Sequence, residues 1–202
     1  MSFIALFPVG LSQIEIGEPS DSQKYFIGSI ETKLNNGNRS SVNTHVLDED
    51  IFDDLRNKIK VHVDDYFKQI YMPKGNVSLK ITQSWLNYSN SGEFHHKHSH
   101  VNSVISGVYY PQADHPEDRI EFFDPKPEQQ LQVYSDGVND FNAKSIWVPA
   151  RTGFLYLFPS FLKHGVPAIE GRSSTRISLS FNTFYEGEIG GIEELAHLKL
   201  SQ

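Results

Sequence analysis

The chain contains no cysteine among its 202 residues. That absence excludes disulfides, thiolate metal sites and cysteine nucleophiles together, and it suits a cytoplasmic, intracellular protein. No apolar run approaches the roughly 20 residues of a membrane helix. The opening Met1-Ser-Phe-Ile-Ala-Leu-Phe-Pro8 has no basic segment ahead of its apolar part, so no secretory signal is expected. Basic charge is also scarce. Lys and Arg number 18 against 25 Asp and Glu, a formal charge of −7. General binding to nucleic-acid phosphates needs clustered Lys and Arg, and this balance argues against it. Internal repeats and low-complexity linkers are lacking too. What is there fits one globular domain spanning 1–202, with 38% hydrophobic and 12% aromatic residues, long enough to bury a sizeable core. Nothing in the sequence fixes an oligomeric state.

Two regions differ in pattern. Residues 1–75 read as mixed strands and supporting helices. Short strands are expected over 2–8 and 12–17, a helix over 21–33 with Tyr25, Phe26, Ile30 and Leu34 to one side, and a polar loop over 35–46. The clearest helix runs from about 49 to 70. Phe52, Leu55, Ile59, Val63, Phe67 and Ile70 recur at spacings of three or four, and Asp48 or Asp50 can cap it. From residue 76 to 186 the pattern is β. Val77, Leu79 and Ile81 alternate with polar residues. Further strands are expected over 103–110, 119–124, 129–134, 144–148, 153–158, 162–169 and 174–186. Short aromatic-rich strands at this spacing predict a closed or double-sheet β architecture such as a jelly roll, and the preceding helix makes the class α+β, mainly β.

The chemistry concentrates in Phe94-His-His-Lys-His-Ser-His100. Four of the nine histidines fall there, at His95, His96, His98 and His100. Imidazole is the commonest protein ligand for first-row transition metals. On a strand His98 and His100 share one face, and His95 points away from His96. A lone histidine, His164, follows Phe158-Pro159-Ser160-Phe161-Leu162-Lys163. By itself it reads as a packing or surface residue, and it gains meaning only where a β-roll brings its strand beside the earlier one. In Thr175-Arg-Ile-Ser-Leu-Ser-Phe-Asn182, Arg176, Ser178 and Ser180 share one face, and Ile177, Leu179 and Phe181 the other. An arginine inside a barrel needs an anionic partner, and guanidinium suits a planar carboxylate.

Together these segments resemble a known family. His-x-His followed by Ser-Gly-Val-Tyr-Tyr110, then Phe158-Pro-Ser-x-x-x-His164-x-Val, then Arg176-x-Ser-x-Ser-Phe-Asn182, look like the iron(II)- and 2-oxoglutarate-dependent oxygenases. The likeness spans roughly residues 80 to 186 and is greatest to the small prolyl-hydroxylase-like branch of bacteria and phages. It implies a double-stranded β-helix (jelly roll), Fe(II) as cofactor, 2-oxoglutarate as co-substrate, and a hydroxylase that releases succinate and carbon dioxide. Carried over, the resemblance makes His98 and His164 iron ligands. Arg176 clamps the far carboxylate of 2-oxoglutarate, with Tyr110 bonding it and Ser178 assisting. His100 stands where most of the family has Asp or Glu, so the set becomes three imidazoles where the usual one is two histidines and a carboxylate. His96 or Asp124 are alternatives to His100. His95 and His96 stand at the rim, where with Trp85 and Asn87 they either line the substrate side or position the ligand strand, a solvated rim being the expected role of His95, and 134–141 is a candidate lid. The resemblance implies a small-molecule or peptide substrate, whose identity it leaves open.

Three other readings stand beside this one. The spacing Gly92, five residues, His98-x-His100 opens the cupin signature. Residues 104 and 105 are Val and Ile where that signature wants Glu, and 168 is Ala where it wants Asn. Three histidines with an open position also suit zinc. The last reading is a non-catalytic jelly-roll module, a binder or a phage structural protein, with an incidental histidine cluster.

Overall fold

The computed structural model describes residues 1–114, 116–126 and 134–200. Twelve strands are present among these residues, in two antiparallel sheets. The larger sheet runs in the order β1 (Ser12–Glu15), β9 (Phe154–Pro159), β6 (Ile105–Gln112), β11 (Arg176–Ile189), β4 (Val77–Ser89), β3 (Arg39–Ser41), β2 (Thr32–Leu34). A last strand, β12 (Leu198–Leu200), pairs with the far end of β11. The smaller sheet is β5 (His95–His98), β10 (His164–Val166), β7 (Arg119–Phe123), β8 (Ser145–Pro149). The two sheets make a double-stranded β-helix, the mainly β, jelly-roll architecture expected.

Strand alternation divides the core. On β6, β9 and β11 the residues Ile105, Tyr109, Leu155, Leu157, Leu179 and Phe181 face outward, toward helix α2 (Asp53–Tyr66). There they meet Phe52, Leu55, Ile59, Val63 and Tyr66 in one buried cluster. Val108, Tyr110, Tyr156 and Phe158 face inward and pack with Ile120 and Phe122 of the smaller sheet. Period two in the strands and period 3.6 in the helix produce this layering directly. Tyrosine hydroxyls then fasten the N-terminal third. Tyr66 donates to the Gly10 carbonyl at 2.6 Å, Tyr88 to Ile27 at 2.6 Å and Tyr109 to Gly17 at 2.8 Å.

Several boundaries differ from those expected. Residues 2–8 form no strand and stay exposed, because they find no ladder to join. The first helix, α1, covers Asp21–Ser29. It starts on a Ser20–Gln23 capping box and stops where Ile30 turns extended to enter β2. Tyr25 and Leu34 are exposed. Within the expected 35–46 loop lies β3, which forms a hairpin with β2 around Gly37 (φ +90°) and then joins β4. The long helix begins as a 3₁₀ turn at Asp50–Phe52, has no side-chain cap, and widens into a π turn at Phe67–Tyr71, which leaves Ile70 exposed. Most of the strand expected over 129–134 lies outside the described residues. No described helix is long and apolar enough to cross a membrane.

Candidate active site

The site forms at one end of the roll, where the small sheet closes against the large one. His98, last residue of β5, is paired directly with His164, first residue of β10. Their rings lie 4.5 Å apart. His164 is buried, held between Phe158 at 4.7 Å and Phe122 at 6.1 Å, and the turn before it is closed by Leu162 N–H to the Pro159 carbonyl. His100 reaches the cluster differently from expectation. β5 ends at His98, so the two residues do not share a strand face. His100 sits in the following loop, turned inward by its own N–H on the Ser160 carbonyl at 3.0 Å. Its ring stands 5.0 Å from His98, 5.1 Å from His164 and 5.7 Å from Trp85. One nitrogen from each of His98, His100 and His164 lies within 4.8 Å of the others.

Tautomer and charge prepare this cluster for a cation. The Nδ1–H of His98 donates to the His96 carbonyl at 2.8 Å, and that of His164 to Leu162 at 3.0 Å. With the proton on Nδ1, each Nε2 keeps its lone pair, the form a metal takes. Burial pushes the His164 pKa down to about 3, and the neighbouring imidazoles add to this against the carbonyl bond. Burial and then His98 push His100 to about 4, and burial also lowers His98. All three are neutral near pH 7. Neutral imidazole donors suit divalent iron, nickel, copper or zinc, so the residues fit a first-row metal.

Across the cavity, on the large sheet, sit Arg176, Tyr110 and Ser178, all buried. Arg176 Nη2 donates to the Tyr110 hydroxyl at 3.1 Å, and the guanidinium lies 4.9 Å from that ring's centroid. Its Nε has no hydrogen-bond partner. The nearest carboxylate, Asp118, is 4.0 Å away and is held by the fork of Arg172, whose Nη1 reaches Oδ2 at 3.1 Å and whose Nη2 bonds Oδ1. All three side chains are at most 3% exposed. Within this trio two guanidiniums face one carboxylate, so one positive charge is in excess beside the cavity that Arg176 lines. An anion fits that position.

His95 departs from its expected solvated rim. Two residues along β10, from His164 to Val166, match three along β5, from His98 to His95. This bulge carries one extra residue and brings His95 to the side of His98. The two rings stack at 4.6 Å and 17°, and His95 lines the cavity, with burial and His98 lowering its pKa to about 3. His96 is exposed. The Asp124 carboxylate accepts from the Lys126 N–H and lies outside the imidazole cluster. Trp85 and Asn87 line the cavity, whereas no residue of 134–143 does. That loop closes on itself through Asn139 and Asn142, and Phe141 touches Phe3. The Asp118–Arg172 pair carries no signal in the sequence, since 54 positions separate its members.

An imidazole cluster and a buried guanidinium facing each other inside a double-stranded β-helix is the build of a metal-dependent oxygenase. The comparisons narrow this. Residues 83–182, from within β4 to the middle of β11, match the family model described as "Putative 2OG-Fe(II) oxygenase", and the chain belongs to the 2OG-Fe(II) oxygenase family. Similar solved structures include a prolyl-4-hydroxylase from Pseudomonas putida, at 16% identity and a TM-score of 0.58, covering 87% of this chain and 92% of that one. HygX from Streptomyces hygroscopicus, solved with nickel, 2-oxoglutarate and hygromycin B, matches at 12% identity and a TM-score of 0.60, covering 87% and 83%. A prolyl hydroxylase from Trichoplax adhaerens, in complex with a hypoxia inducible factor oxygen degradation domain peptide fragment, matches at 14% identity and a TM-score of 0.56, covering 87% of this chain and 83% of that one. Among curated proteins no sequence match is found.

Proposed function

We propose that the chain is an iron(II)- and 2-oxoglutarate-dependent hydroxylase in which His98, His100 and His164 hold the metal and Arg176, Tyr110 and Ser178 hold the co-substrate. One observation carries the reading: three neutral imidazoles share a cavity with a buried guanidinium that has positive charge in excess and a free donor. Iron(II) and 2-oxoglutarate are the cofactors of this family, and bound iron supplies the redox chemistry that couples decarboxylation to substrate oxidation.

The chain's own residues do the positioning. His98 and His164 present Nε2 because backbone carbonyls fix their Nδ1 protons. Arg176 takes the distal carboxylate of 2-oxoglutarate, and the Tyr110 hydroxyl supports it. Burial pushes the Tyr110 pKa up, so that hydroxyl stays protonated and able to donate. Three neutral imidazoles leave the bound ion one positive charge higher than two histidines and a carboxylate would. A doubly anionic co-substrate offsets that charge. Phe158 and Trp85 give the cavity aromatic walls, which would limit water beside a reacting centre. The reaction proposed for this arrangement is hydroxylation, with succinate and carbon dioxide as co-products. The substrate class is a small molecule or peptide, in line with the hygromycin B and peptide carried by the similar structures.

The test is anaerobic addition of Fe(II) and 2-oxoglutarate. A weak visible absorption band should appear only with both, and oxygen should then yield succinate. Arg176→Ala should raise the 2-oxoglutarate requirement at least tenfold and leave metal affinity within a fewfold. Absence of the band, or equal loss of metal and 2-oxoglutarate binding in the variant, removes the proposal.

A further inference from the structure

Three hydroxyls and an amide form a buried file that ends on His100. Ser103 Oγ bonds Ser160 Oγ at 2.7 Å, and Ser160 bonds Ser106 Oγ at 2.8 Å. Ser106 then donates to Asn182 Oδ1 at 2.9 Å, and Asn182 Nδ2 faces His100 Nδ1 at 3.5 Å. Ser106 and Ser160 are each 1% exposed and Asn182 8%. At its far end Ser103 donates to the Ile105 carbonyl at 3.3 Å, an acceptor that cannot change role. His100 therefore differs from His98 and His164. Their Nδ1 protons are fixed by carbonyls, whereas the Nδ1 of His100 faces a group that is donor or acceptor according to how its amide is turned.

We propose that Asn182 is the positioning residue that selects the tautomer of His100, and that the serine file lets it turn. The inference rests on the reading of His100 as a metal ligand. In the setting with the amide N–H toward Nδ1, the imidazole proton sits on Nε2 and that nitrogen cannot ligate. To take a metal at Nε2 the proton must move to Nδ1. Asn182 then turns by half a rotation and Oδ1 accepts Nδ1–H. Its Nδ2–H now donates to Ser106 Oγ, and the Ser106 proton turns from Asn182 to Ser160. Ser160 donates to Ser103, and Ser103 keeps the Ile105 carbonyl. Every group remains bonded in both settings, and no proton is gained or lost by the protein. A carbonyl in place of the amide would hold His100 always ready. A reversible amide couples its readiness to the metal itself.

Zn(II) serves as a diamagnetic probe. With ¹⁵N-labelled histidine, His100 should carry its proton on Nε2 without metal and on Nδ1 with Zn(II), whereas His98 and His164 keep Nδ1–H throughout. Asn182→Asp offers only acceptors, so its metal-free His100 should already be the Nδ1–H form. Asn182→Leu should bind Zn(II) about 10–100-fold more weakly, the usual effect of losing a group that orients a ligand. If the leucine variant fails to fold, the aspartate variant decides alone. A His100 tautomer that is the same with and without Zn(II), or the same in parent and Asp variant, overturns the inference and leaves the metal site standing. If Zn(II) leaves the His98 and His164 signals unmoved, the metal reading fails and this inference goes with it.

Discussion

Arg172 touches neither the imidazoles nor the cavity wall, yet it decides what Arg176 can do. Its fork occupies both oxygens of Asp118 and keeps that carboxylate from closing on Arg176. In Arg172→Ala, the two hydrogen bonds that draw Asp118 toward Arg172 are gone, and the carboxylate 4.0 Å from Arg176 should offset more of the positive charge that an incoming anion needs. Breaking a buried pair costs about 3–5 kcal/mol, so the variant should unfold at lower denaturant and need more 2-oxoglutarate. Denaturant melts and succinate formation against 2-oxoglutarate measure the two effects, and a variant altered in stability alone would contradict the second. The histidines add a pH dependence. His95, His100 and His164 have folded pKa values of about 3 to 4, below the ordinary value of about 6.5. The unfolded chain therefore binds more protons across that window. Stability of the metal-free protein should be full above pH 6.5 and fall as pH drops toward 4. Denaturant midpoints at pH 7.5, 6 and 5 should decline in that order.

At the scale of elements, the crossing of β6 and β11 sets the tightest tolerance. Gly107 faces Phe181, and a Cβ at Gly107 would stand 2.1 Å from the Phe181 ring. Gly107→Ala therefore forces the ring or the strand to move, an overpacking that costs about 1–3 kcal/mol. Because β6 also carries Tyr110, the shift should lower 2-oxoglutarate affinity together with the melting temperature. A smaller residue opposite, as in Gly107→Ala with Phe181→Leu, should recover part of both. Much at this scale was legible from the residues. The alternation of Arg176, Ser178 and Ser180 against Ile177, Leu179 and Phe181 separates cavity from core as the strand period requires. The helix face of Leu55, Ile59 and Val63 is likewise buried. What escaped depends on partners distant in sequence. The β5 bulge exists only against β10, so nothing local brings His95 inward. In the β2–β3 hairpin, β2 fell at the end of the expected helix and β3 in the expected polar loop, because β4 supplies the ladder that β3 joins.

For the molecule as a whole, the mainly β class and the long helix over 49–70 followed from pattern, whereas the order of the strands in the two sheets did not. The pairing of β5 with β10 followed only from the resemblance. The site then depends on both sheets at once. His98 and His164 belong to the smaller, Arg176 and Tyr110 to the larger. A metal should stabilise the protein by binding the folded state alone, and 2-oxoglutarate should add to this only when metal is present. Melting temperatures with Ni(II), with 2-oxoglutarate and with both should show that order, and Arg176→Ala should lose the last increment while keeping the first. A molecule that reaches from the imidazoles to the guanidinium is thus a rivet through the two leaves of the roll. Loaded protein should exchange its β5 and β10 amides with solvent far more slowly, while those of the distant α2 keep their pace.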